Sequence, residues 1–311
     1  MRRSTFAVVL ALVAMLGAYG PVAAAQTSTA KVVIIVGATH GETAKYRSNA
    51  DELYAEAIRH TPNVTKVYSP NATWSAVKAA TVGANIVIYL GHGNGWPSPY
   101  TFDPSYTTKN GFGLNATAGN GDYNNKYYGE PSIRTLALAP NAVVFFHHLC
   151  YASGNSESSS QNPTLSVARQ RVDNYATAFL AAGASVVIAD GHSHTGYYLR
   201  ALFTTAQPLG QLWRGAPNYH GNDIPFTPTR STGAAVLDPN TGGSSPTGYY
   251  RSIVGNLSVM SHQVLGIKLP PGVRGAPGVT IVPNHATVGV AGATRTLNTT
   301  TSTRTLRLPI R

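Results

Sequence analysis

Five short apolar runs punctuate the first two thirds of the chain, at residues 31–37, 64–68, 85–90, 142–148 and 184–189. Several are unbroken and rich in Val and Ile, the pattern of strands buried on both faces of a parallel sheet. The segments between them have helical composition. Residues 42–60 carry Leu53, Ala57 and Ile58 as an apolar stripe, 72–80 are short and Ala-rich, and 132–139 suit a helical turn. Residues 163–182 place Leu165, Ala168, Val172, Tyr175, Ala176 and Phe179 on one face, and 195–205 give a further helix. Strands alternating with helices predict an α/β domain over 30–215, a three-layer sandwich around a mostly parallel sheet.

The alternation fails twice. From 91 to about 130 the chain turns to Gly, Asn, Pro, Tyr and Thr without a sustained period, which predicts a long excursion above the sheet. That excursion holds Trp96, Tyr100, Phe102, Tyr106, Phe112, Tyr123, Tyr127 and Tyr128, an aromatic density suited to binding a ligand or to packing over the domain itself. Beyond 216 the composition shifts to Pro, Gly, Thr and Ser, with short apolar stretches at 252–259, 263–269, 279–282 and 286–290. These predict a small β-rich C-terminal extension over 216–311.

Composition narrows the class. With 43% hydrophobic and 11% charged residues, the 311-residue chain is too apolar for a disordered protein and too polar for a multi-span membrane protein. Arg2 and Arg3, the apolar stretch 6–16 and the small residues of 22–25 have the organisation of a secretory signal peptide over 1–25, which predicts a secreted, extracellular protein. No later run approaches the ~20 apolar residues of a bilayer span, so no membrane association is expected after cleavage. The 23 Lys and Arg against 12 Asp and Glu give a net charge of +11, but they are scattered, and no nucleic-acid partner is expected. Cys150 is the one cysteine, so no intrachain disulfide exists, and an exported thiol is either buried for structure or kept as a nucleophile.

Ligands of open parallel α/β sheets bind beyond the carboxyl ends of the strands, where this sequence collects its reactive groups. The third run ends in Gly91-His92-Gly93, the fourth leads to Cys150, and the fifth ends in Asp190-Gly191-His192-Ser193-His194. An imidazole beside a thiol accepts its proton and later protonates a leaving amine. The Gly93 and Cys150 amides then stand as main-chain donors to a developing oxyanion.

The block NIVIYLGHG (85–93) and the block AVVFFHHLCYASG (142–154) resemble the two signatures of clan CD cysteine peptidases, the caspase, gingipain and legumain assemblage. FLAAGASVVIA (179–189) is similar to the helix end and strand that follow the nucleophile in caspase-like domains. The resemblance implies a caspase-like fold, a polypeptide substrate and no cofactor. It assigns His92 as general acid and base, Cys150 as nucleophile, and Gly93 and Cys150 as the oxyanion hole. It also implies a pocket for a charged or amidic side chain, which Asp190 and Glu157 would make acidic and selective for Arg or Lys. Leu149 departs from the Ala or Gly that commonly precedes the family's Cys, and the insert between His92 and Cys150 is long.

Two other readings remain open. A zinc-dependent hydrolase would draw ligands from the strand-end histidines, with Asp190, His192 and His194 three ligand types within five residues. In strand alternation His147 faces away from Phe146, His148 and Cys150, which predicts a packed histidine. A non-catalytic secreted binding module would use the aromatic insert.

Overall fold

The computed structural model describes residues 28–157, 160–191 and 194–268. The signal-like segment 1–25, His192 and the apolar stretches at 279–282 and 286–290 lie outside them. In chain order the elements are β1 (Val32–Val36), α1 (Thr43–Ala57), β2 (Val64–Tyr68), α2 (Trp74–Thr81), β3 (Ile86–Leu90), β4 (Phe112–Asn115), β5 (Asn125–Tyr128) and α3 (Glu130–Ile133). There follow β6 (Ala142–His147), α4 (Leu165–Ala181), β7 (Ala184–Asp190), α5 (Thr195–Thr204), α6 (Leu209–Arg214), β8 (Ile224–Phe226), β9 (Ala234–Leu237), β10 (Arg251–Gly255) and α7 (Ser261–Val264).

The five apolar runs become the five strands β1, β2, β3, β6 and β7, paired in parallel in the order β2-β1-β3-β6-β7. Alternate residues point to opposite faces, and both faces are covered. Val33, Ile35, Val87, Val144, Phe146 and Val187 pack with Val77 of α2 and with Ala168, Val172 and Phe179 of α4. Val32, Ile34, Ile88, Phe145 and Ile188 pack with Leu53 of α1 and with Leu199 and Leu202 of α5. A large mixed α/β sheet with helices on both faces is therefore present, and the unbroken apolar runs are its cause.

The C-terminal extension carries strands β8, β9 and β10. Over its described part it continues the main sheet: β10 pairs antiparallel with β7, β9 with β10, and β8 with β9, which makes eight strands. The described part of the stretch at 263–269, residues 263–268, contains no strand. Its start lies in α7, where Gln263 Oε1 accepts from the Met260 amide at 2.9 Å.

The insert after β3 is also more ordered than its sequence suggests. β4 and β5 form a hairpin whose Phe112 and Leu114 enter the core. The Tyr89 hydroxyl, on β3, accepts from the Gly113 amide at 2.8 Å and so fixes the hairpin above the strand ends. Trp96 is tied down too, since its amide donates to Asn110 Oδ1 at 3.1 Å and Asn174 Nδ2 donates to its carbonyl at 2.8 Å. Among the described residues, no helix is long and apolar enough to cross a membrane.

Candidate active site

The order β2-β1-β3 means that the chain leaves β1 toward one edge of the sheet and resumes, at β3, toward the other. In open α/β sheets such a reversal parts the strand ends and leaves room for a ligand. Gly37 to His40 leave β1 there, and Gly91 and His92 leave β3. The rings of His40 and His92 lie with centroids 5.1 Å apart, and Tyr123 from the β4–β5 turn stacks on His40 at 5.1 Å. His92 is half-buried, and its Nε2 is buried without a hydrogen bond. Burial, and secondly His40, lower its pKa, so the imidazole is neutral at pH 7.

Cys150 comes from the next strand over. β6 ends at His147, and the chain then turns through two non-glycine residues in left-handed backbone, His148 (φ +53°) and Tyr151 (φ +69°), which flank the cysteine. Such conformations persist only where neighbours enforce them. Here the His148 amide donates to Asp190 O (2.9 Å) and the Tyr151 amide to Asn155 Oδ1 (2.8 Å). Arg171 on α4 closes the loop. Its Nη1 donates to Asn155 O (2.7 Å) and its Nε to Pro97 O (2.7 Å), while its guanidinium lies 4.9 Å from the Tyr151 ring. One side chain thus holds the cysteine loop against the insert.

Gly93 shows how closely the two loops approach. A Cβ on it would lie 2.1 Å from the Cys150 carbonyl oxygen, so the residue after His92 has room only as glycine. Gly93→Ala is expected to push the cysteine loop out and to destabilise the fold by about 1–3 kcal/mol. A denaturant midpoint, read beside the alkylation rate of Cys150, checks this.

Cys150 is a partly exposed residue. Burial, and then the Glu157 carboxylate, push its pKa up to about 11. Glu157 is fixed by two tyrosines, with Tyr151 Oη donating to Oε1 at 2.8 Å and Tyr100 Oη to Oε2 at 3.1 Å. His92 Nε2 makes no hydrogen bond, to the thiol or to any other group. The resting pair is therefore a neutral thiol and a neutral imidazole on adjoining loops.

The other candidates lie elsewhere. Asp190 is only 2% exposed and is turned into the sheet face opposite Cys150. It accepts from Asn218 Nδ2 (3.0 Å) and Tyr198 Oη (3.2 Å) and lies 3.8 Å from Arg251 Nε. This corrects the expectation that Asp190 makes an acidic wall beside the thiol, because its charge is committed to balancing a buried arginine. Of the three residues of the zinc reading, His192 lies outside the described residues. His147 also faces α1 and α5, with Nδ1 2.9 Å from Thr195 Oγ1, and burial lowers its pKa to about 4. Among the described residues, no three His, Cys, Asp or Glu side chains converge as a metal site.

Sequence reading missed two contributors. The place of His40 beside His92 follows from the pairing of β1 with β3. Arg171 carried no signal, because a basic residue in a long helix reads as solvated. In the insert, Tyr100, Phe102 and Tyr123 keep large exposed surfaces at the rim, whereas Phe112 is buried. The chain matches no family model, no curated protein and no solved structure.

Proposed function

We propose that the chain is a secreted cysteine endopeptidase of caspase-like architecture, with Cys150 as nucleophile and His92 as general acid and base. The observation that carries the reading is the fit of Gly93 against the Cys150 backbone beyond the ends of the neighbouring strands β3 and β6, which brings a His-Gly and a Cys together one strand over from the sheet's reversal. Helices on both faces of a largely parallel sheet are compatible with the three-layer sandwich that the resemblance implies. The two main-chain amides at this junction are the donors available to an oxyanion.

The protonation states set the mechanism. A thiol with a pKa near 11 and a neutral imidazole do not form an ion pair at pH 7, so the proton moves to His92 as sulfur attacks the carbonyl carbon. The oxyanion takes hydrogen bonds from the Gly93 and Cys150 amides. Collapse expels the amine, which receives the proton from His92 and leaves a thioester on Cys150. Water then adds with His92 as base, and the acid product and free thiol return.

Glu157 supports the finer substrate assignment. Its carboxylate acts on the thiol, on Tyr100 and on His92, so the site favours a cationic side chain. Peptides with Arg or Lys N-terminal to the scissile bond are the expected substrates. A peptide library incubated with the purified chain tests this; Glu157→Gln should narrow the preference for basic over neutral residues.

The same field makes a prediction that needs no substrate. Thiolate is the species that alkylates, so the iodoacetamide rate at Cys150 should rise about tenfold per pH unit from neutrality and level off near pH 11. Glu157→Gln removes the second cause of the raised pKa. It should shift the profile to lower pH and speed alkylation at pH 7, as followed by intact-mass spectrometry.

A further inference from the structure

On the sheet face away from Cys150, a groove of about 330 Å³ opens between α1 and α5 over the end of β6. One wall is α1, with Asn49, Glu52 and Leu53; the other is the start of α5, with His194, Gly196 and Tyr197; and His147 also lines it. Several of its charged groups are already matched. Arg200 Nε and Nη2 donate to the two Glu56 oxygens at 3.0 and 3.2 Å, and His60 Nε2 lies 3.0 Å from Oε1.

What remains unmatched is divided between the walls. His147 is 3% exposed, its Nδ1 is engaged by Thr195, and its Nε2 is buried with no partner. Nδ1 of His194 is likewise buried and unpartnered. A buried polar atom left without a hydrogen bond costs about 1–3 kcal/mol, so two in one groove call for an occupant. The ten-residue helix α5 has no side-chain cap at its N-terminus. A Cβ at Gly196 would meet only Leu53, at 3.9 Å, so the backbone of that first turn is open. Amides at the start of a helix, together with imidazole N–H groups, suit a carboxylate. Across the groove, Glu52 is exposed and makes no ion pair among the described residues, and Leu53 offers an apolar surface.

We propose that this groove binds a small zwitterion of amino-acid type, its carboxylate at the α5 N-terminus and the His147 and His194 imidazoles, its ammonium at Glu52. In that complex Thr195 Oγ1 donates to His147 Nδ1, which puts the proton on Nε2 and makes it a donor to the carboxylate. An apolar side chain lies toward Leu53. The proposal is independent of thiol chemistry.

Calorimetric titration of the full chain with L-leucine, 4-methylpentanoate and 3-methylbutylamine tests it, because the last two keep the carbon skeleton and lack the ammonium or the carboxylate. L-leucine should bind saturably at one per chain, and each analogue about tenfold or more weaker. Glu52→Gln should reduce leucine affinity to that of 4-methylpentanoate without moving the thermal midpoint. His194→Ala should weaken both carboxylates alike, and Cys150→Ala should leave all three titrations unchanged. No saturable leucine binding, equal binding of leucine and either analogue, or leucine binding indifferent to Glu52→Gln and His194→Ala would each overturn the proposal.

Discussion

Arg251→Met is expected to destabilise the protein by about 3–5 kcal/mol, the cost of removing one partner from a buried ionic cluster. Arg251 is wholly buried. Its Nη1 pairs with Asp238, its Nη2 donates to Trp213 O at 2.6 Å and to Tyr198 Oη at 3.2 Å, and its Nε faces Asp190 at 3.8 Å. The Trp213 ring covers the guanidinium at 4.7 Å. Methionine fills much of the volume but leaves the Asp190 and Asp238 carboxylates in a dry interior without their cation. The location raises the effect, since Arg251 on β10 is the register partner of Asp190 on β7, where the parallel sheet meets its antiparallel edge. Urea denaturation at neutral pH reads the loss. Asp238→Asn in the same chain should recover part of it, because one fewer charge is then stranded.

Cys150→Ala should lower kcat/KM on basic peptides by about 10³-fold or more, and His92→Ala by a similar factor. Combining them should cost little beyond either change alone, since a nucleophile and its base act as one unit. The thermal midpoint of Cys150→Ala should stay near the parent value, because the residue is partly exposed and packs only at the margin of the core. A large fall in stability together with activity would instead make Cys150 a packing residue.

The parallel part of the sheet was readable because strands buried on both faces must be apolar at every position, and Val32–Val36 and Ile86–Leu90 are. Their register and order were not, as these depend on pairings between distant segments. For that reason His92 and Cys150 were legible as strand-end residues, while the place of His40 beside His92 was not. That the strands of the C-terminal extension join the main sheet as its antiparallel edge was not legible. β9 is four residues long and β8 three, and nothing local in Ala234–Leu237 says that it continues the same sheet. Asp190 was misassigned for a related reason. A carboxylate at a strand end reads as available until its partner is known, and that partner, Arg251, comes from the C-terminal extension. The long insert looked structureless because its anchors are single side chains, Tyr89 below and Asn174 beside it, rather than a period of apolar residues.

The most direct test of the account is to follow hydrolysis of a peptide library while Cys150 is titrated with iodoacetamide and its modification is measured by intact mass. The account predicts cleavage after Arg and Lys that falls in proportion to the modified fraction and reaches zero when Cys150 is fully alkylated. Cleavage that persists on fully alkylated protein, or no cleavage of any peptide by protein whose Cys150 is free and reactive, would contradict it.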